Sequence, residues 1–165
     1  MKILETDRLI LREFEPDDAD FLFLLNQNSN VIRYTGDAPF LSVKEANDFI
    51  KNYLDYKIFG TGRWLVIEKE KNTSIGWCGL KNHDHEFIDL GFRFLEETWN
   101  KGYATEAAQA CLDYGFNQLH FTEIIGRTMP ENTASQRVLE KVGMQFSHQE
   151  TVEGLHEALI YKISK

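Results

Sequence analysis

The chain has 165 residues, a length that fits one domain (1–165) around one sizeable core. With 42% hydrophobic and 27% charged residues it has the composition of a folded globular protein, which excludes a disordered one. A net charge of −8 speaks against nucleic acid or an anionic membrane as partner and favours cationic partners such as amines.

Leu9, Ile10 and Leu11, flanked by charges, predict an opening strand. Pro16 marks a helix start, with Asp17 and Asp18 in the favourable first turn and Phe21, Leu22, Leu24 and Leu25 as its buried face. Ser42 and Glu45 form an S-x-x-E capping box. The helix behind it carries Ala46, Phe49, Ile50 and Leu54 at helical spacing and should end near Gly60. Arg63 to Ile67 and Ile75 to Leu80 read as strands joined by the turn EKNTS. After the polar connection NHDHE, Phe87 to Phe94 makes a third strand of this meander.

A helix from about Tyr103 to Leu119 follows, with Ala104, Ala107, Ala108, Cys111, Leu112 and Gly115 on a face of small residues suited to close packing on a sheet. Ile124 to Met129 is the next strand, parallel to Phe87–Phe94 because a helix crosses between them. Asn132 opens another helix, with Ala134, Val138, Leu139 and Val142 inward and Gly143 as its stop. Strands Gln145 to Val152 and Ala158 to Ile163, around a turn at Gly154, complete the chain. The fold class expected is α/β (α+β): a mixed, mainly antiparallel sheet of about six to seven strands with about four helices.

Cys78 and Cys111 form neither a CxxC element nor a disulfide framework, which fits a reduced cytosolic setting. MKILETDRLILREF lacks the apolar core of a signal peptide, and no apolar run approaches the ~18 residues of a membrane span. A cytoplasmic protein is expected, and a homodimer is left open.

The stretch WNKGYA places one glycine, Gly102, where a loop enters a helix. A helix N-terminus offers unpaired N–H groups and a partial positive charge that together hold phosphate. Gly102 admits close approach, Ala104 keeps the next turn slim and Lys101 adds a cation. By residue chemistry alone, a phosphate seat and an ordinary left-handed glycine both remain open. Neither GxxxxGK[ST] nor GxGxxG occurs, so a P-loop or Rossmann site is excluded. His83, Asp84, His85 and Glu86 have the residue types of zinc ligands, but no supporting motif stands beside them; a solvated turn and no metal are expected.

Three segments in order carry more: TDRLILREFEPDDADFL, DLGFRFLEETWNKGYATEA and NTASQRVLEKVGM. Together they make nearly the whole chain resemble the GNAT superfamily of acyl-CoA-dependent N-acyltransferases. The branch it looks most like is that of the ribosomal-protein N-terminal (RimJ/RimL-type) acetyltransferases. Trp99 stands where the superfamily's pyrophosphate loop usually begins with Arg or Gln, while Gly102 and Ala104 match the loop. The resemblance implies a GNAT-like sheet and acetyl-CoA as co-substrate. It implies that the backbone of Phe94 and Leu95 pairs with pantetheine and that the amides of Asn100, Lys101, Gly102, Tyr103, Ala104 and Thr105 hold the pyrophosphate. It implies that Asn132 bonds the pantetheine arm and that Ser135 stands near the thioester sulfur. Asn132 is equally a good N-cap, a role that leaves its amide N–H₂ free.

The resemblance implies an N-acetyltransferase acting by direct attack of a primary amine, on a peptide N-terminus or a small molecule. Many members have a tyrosine acid where this chain has Leu139. Asp89, two residues before Gly91, is the candidate base, alongside a plain reading as a strand residue. A non-catalytic CoA-binding module and an acidic interaction protein are the rival readings.

Overall fold

The computed structural model describes residues 1–152 and 156–165; the expected turn at Gly154 lies outside them. Eight strands form one sheet: β1 (Lys2–Glu5), β2 (Leu9–Arg12), β3 (Arg63–Glu68), β4 (Thr73–His83), β5 (Phe87–Phe94), β6 (Glu123–Thr128), β7 (Gln145–Val152) and β8 (His156–Ser164). Their spatial order is β1-β2-β3-β4-β5-β6-β8-β7, antiparallel throughout except for β5 beside β6. The strand beyond the expected count is β1, whose four residues are too few to show a period.

Helices cover both faces. On one lies α5 (Tyr103–Asn117), which presses Ala107, Ala108, Cys111 and Leu112 against Trp64, Val66, Cys78, Leu80, Leu90 and Phe94. On the other lie α1 (Ala19–Gln27) and α3 (Val43–Lys51), meeting Leu65 through Leu22, Ala46 and Ile50. Trp64 and Val66 thus face α5 and Leu65 faces α1, as strand alternation requires. Each large side chain buried this way stabilises the fold by about 1.5–3 kcal/mol.

Two short helices, α2 (Ser29–Ile32) and α4 (Asp55–Phe59), stand apart from their longer neighbours. α3 stops at Lys51 rather than near Gly60, because Tyr53 and Tyr56 turn inward toward β3. The Tyr53 hydroxyl accepts from the Arg63 N–H at 2.7 Å, and that of Tyr56 donates to the Arg63 carbonyl. Leu24, Phe49 and Leu54, expected in buried faces, are instead exposed by 60%, 42% and 48%. Asp18, expected in a first helical turn, is buried in a two-pronged bond to Arg12 at 2.7 Å. Ser42 caps α3 through the Glu45 N–H at 3.2 Å, but the Glu45 carboxylate reaches back to Leu41 N–H rather than to Ser42. α6 (Thr133–Lys141) follows β6, buries Leu139 and Val142, and leaves Ala134 exposed.

One feature of the sheet positions everything that follows. β5 and β6 share a single register pair, Asp89 with Ile125. Beyond it the two strands have no further register pair toward Phe94. α5 and α6 both begin just past the carboxyl ends of these diverging strands, where open α/β sheets bind ligands.

Candidate active site

The Leu95 N–H bonds the Ile75 carbonyl at 2.9 Å, continuing the β4–β5 ladder. Peptide groups alternate sides along a strand, so those of Phe92 and Phe94 point into the wedge instead. The Phe94 carbonyl is taken by the Trp99 indole N–H at 3.0 Å, which leaves its N–H facing the gap. The exposed edge is therefore Phe92 and Phe94, and Leu95 is engaged with β4. Trp99, in place of a basic or amide residue, ties the loop back onto the strand it leaves.

The loop draws its backbone N–H groups together. Asn100 (φ 59°) and Gly102 (φ 81°) both sit in the left-handed region, a succession that turns backbone N–H groups toward a common point. Gly102 is the N-cap of α5 and supplies no side-chain acceptor to its first turn, so those N–H groups stay free for a ligand. The loop is held from the far end of the chain. Arg8 donates from Nη1 to the Lys101 carbonyl at 2.9 Å and from Nε to Glu106 at 2.5 Å, and its guanidinium lies 4.5 Å above the Tyr103 ring. Glu106 also accepts from the Thr6 hydroxyl at 2.6 Å. Burial would raise its pKa, but the Thr6 and Arg8 bonds hold it below the ordinary value.

This loop walls a cavity of about 520 Å³ that also meets Asn30, Val31 and Arg33 to Thr35, the wedge edge at Phe92 to Phe94, and α6. Gly102, Tyr103, Ala104, Thr105, Trp99, Asn100, Phe94, Asn132 and Ser135 all line it, whereas Leu95 and Lys101 do not. Arg33, and Arg137 with Lys141 one turn later on α6, add cations to the wall that the sequence reading passed over. Glu96 accepts from the side-chain amides of Asn28 at 2.8 Å and Asn30 at 3.0 Å and so fastens α2 to the loop.

A second cavity, of about 360 Å³, lies on the α1–α3 side of the sheet. The two meet at Tyr34, Thr35, Phe92, Arg93, Asn132 and Ser135, which line both. Asn132 Oδ1 caps α6 through the Ser135 N–H at 3.2 Å, leaving Nδ2 free as expected of a cap. Thr35 has already committed its hydroxyl proton to the Ile32 carbonyl at 2.9 Å. Among the described residues at the junction, Tyr34 and Ser135 therefore hold hydroxyls without a protein partner. Tyr34 was missed because it lies in a segment without periodicity. Leu139 is buried against Gly126 and fills the second cavity's floor with hydrocarbon.

Asp89 is in that cavity but is not placed as a free base. Its Oδ1 accepts from Arg63 and its Oδ2 from Arg127, at 3.1 Å from Nε and 2.8 Å from Nη2. His83 Nε2 stands 3.5 Å away. Burial would raise its pKa, but Arg63, the His83 bond and Arg127 outweigh that and hold the carboxyl well below the usual range. A carboxylate so held has little tendency to take a proton. His83 stacks on Phe87 at 4.4 Å, and Asp84 and His85 form the left-handed corner of a hairpin turn.

Residues 8–145 match the acetyltransferase (GNAT) domain family. The uncharacterized N-acetyltransferase p20 of Bacillus licheniformis is 36% identical over 148 residues, covering 88% of this chain and 83% of that protein. Among solved structures, an acetyltransferase of the GNAT family from Bacillus anthracis superposes with a TM-score of 0.85 at 30% identity, over 99% of this chain and 98% of that one. A spermidine N-acetyltransferase from Vibrio cholerae, solved with CoA and spermine, shares the fold with a TM-score of 0.81 at 22% identity, covering 96% of each chain. The family uses acetyl-CoA, and the parted strands, left-handed loop and twin cavities all lie within the matched span: the chain belongs to the GNAT family of acetyltransferases.

Proposed function

We propose that this chain moves an acetyl group from acetyl-CoA to a primary amine by direct attack on the thioester, in the manner of the RimJ/RimL-type branch. The observation that carries the reading is the meeting of two cavities at Asn132 and Ser135, beside the free Phe94 N–H. The larger one has the anion-holding loop and an unpaired strand edge, which suits the pyrophosphate and pantetheine of the donor. The smaller one suits the acceptor.

Acetyl-CoA supplies an activated acyl carbon. The chain's part is to orient both substrates and handle one proton. The Phe94 N–H is positioned to donate to a carbonyl in the wedge. As the C–N bond forms and the C–S bond breaks, nitrogen loses a proton and sulfur gains one; the hydroxyls of Ser135 and Tyr34 are the groups at the junction able to pass it on. The amine must arrive neutral. For an α-amino group, with a pKa of about 7.7–8.0, this costs about 1 kcal/mol at pH 7, against about 4–5 kcal/mol for a lysine-like amine. An α-amino acceptor therefore needs no strong base, which agrees with the engagement of Asp89.

The test is direct. CoA at about 100 times its Kd should stabilise the fold by about 2.7 kcal/mol, or roughly 8 °C in Tm for a chain of this size. Thiol release from acetyl-CoA should require an amine, and Ser135→Ala and Tyr34→Phe should lower kcat while leaving the CoA-induced shift in place. Absence of a CoA shift refutes the reading. A shift without amine-dependent thiol release assigns a CoA-binding module instead.

A further inference from the structure

We propose that the smaller cavity holds an anionic group of the acceptor, so that the amine acetylated here is carried on a carboxylate- or phosphate-bearing molecule rather than on a polyamine. The inference rests on the acyl-transfer reading and narrows its substrate class.

The chain is acidic overall, yet this cavity is lined by Arg63, Arg93, Arg127 and Lys81 against only Asp37 and Asp89. Lys81 leans out toward Asp55 at 3.9 Å. The three arginines remain. One carboxylate, Asp89, is shared by Arg63 and Arg127, whose side chains are only 15% and 19% exposed. A single negative charge cannot neutralise two guanidiniums, and an excess charge in a desolvated site is costly until an anion joins it.

Arg93 adds an unpaired donor. It is 91% buried, its Nη1 donates to Asn26 Oδ1 at 2.6 Å and its Nη2 to Asp37 at 2.5 Å, and its Nε is buried without a partner. Asp37, the one acid not already shared, has a side chain 59% exposed at the mouth. Arg127 Nη1 likewise has no protein partner among the described residues.

The arginines are also held in place, as recognition of a fork-shaped anion requires. Arg63 and Arg93 both lie on the Trp77 ring, at 5.5 and 5.1 Å, and Arg127 lies 5.2 Å over Phe87. Arg63 crosses β5 at Gly91, where a Cβ would come within 2.5 Å of its guanidinium carbon. Any larger residue at 91 would push the guanidinium off Asp89. A polyamine entering this space would meet three guanidiniums, with Asp37 and Asp89 both already paired to them.

The experiment is acetyl-CoA turnover on the wild-type chain with matched amines: 6-aminohexanoate against hexylamine, phosphoethanolamine against ethanolamine, and spermidine alone. Hydrogen bonds to a charged group imply a kcat/KM advantage of about 10- to 100-fold for the anionic member of at least one pair, and the two pairs separate carboxylate from phosphate. Arg127→Met should raise KM for that amine by a similar factor, with Arg127→Lys between the two and the CoA-induced Tm shift kept. Preference for spermidine, hexylamine or ethanolamine overturns the inference while acyl transfer stands. If CoA raises Tm but no amine turns over, the two anionic amines are titrated calorimetrically into the CoA-bound protein, and absence of heat overturns it. Failure of CoA to raise Tm removes the acyl-transfer reading and this one with it.

Discussion

Asp89→Asn separates two roles that the same residue could hold. A base lost from an intact site would cost rate and little stability. The structure points the other way. Asparagine keeps the shape but removes the one charge opposing Arg63 and Arg127. Breaking a buried ion pair by removing one partner costs about 3–5 kcal/mol, since the remaining charge is left uncompensated. A chain of 165 residues has an unfolding entropy of about 0.35 kcal/mol per degree near its midpoint. The expected loss is therefore roughly 9–14 °C in Tm, read by calorimetry, with steady-state kinetics measured well below the new midpoint. The pH dependence follows from the same geometry. Asp89 has its pKa depressed in the folded state, so its contribution is fully present above the unfolded value of about 3.9 and is lost as pH falls toward the lower folded value. Wild-type Tm should show this loss below about pH 4, and the variant should lack that component. A variant melting within about 2 °C of wild type, with kcat down by about 100-fold, would falsify the structural role and restore Asp89 as a base.

Two further outcomes test the donor side. Gly102→Val places a β-branched residue at φ 81°, its Cβ 3.3 Å from Arg8 Nη2, so the loop must shift; CoA should bind about tenfold weaker or worse, a cost of about 1.4 kcal/mol, and unchanged affinity in a titration would remove the loop from the site. Asn132→Asp keeps an N-cap of equal quality but exchanges the free Nδ2 donor for an acceptor. Its Tm should stay within about 1 °C of wild type while CoA affinity falls, and a fall in Tm with affinity intact would leave Asn132 as a cap only.

How much of this was legible beforehand depended on the range of the interaction. β5 was bounded as Phe87–Phe94 and α5 as starting at Tyr103 because strand period, small-residue spacing and a glycine at the turn are all local signals. Asn132 as a cap was equally local. The break between α3 and α4 was not, because it depends on two tyrosines finding a strand that begins at Arg63. The bond from the Leu95 N–H to Ile75 was not legible either, because which side of a strand an N–H takes is set by its neighbour, here β4. Tyr34 joins the site from a segment without periodicity, and Arg8 reaches the Lys101 carbonyl from 93 residues earlier in the chain.

Asp89 and the charge of the cavity mark the boundary most clearly. By itself the sequence determined the order of elements, the WNKGYA motif and an overall excess of acid, all of which are counted or read along the chain. It could not determine where charge is concentrated. Arg63, Asp89, Arg93 and Arg127 come from three strands, and only their pairing across β3, β4, β5 and β6 puts three cations around one cavity in an anionic protein. Net charge is a sum over the chain, whereas the potential in a cleft falls off with distance and dielectric, so the tertiary structure alone decided the sign of the charge around this cavity.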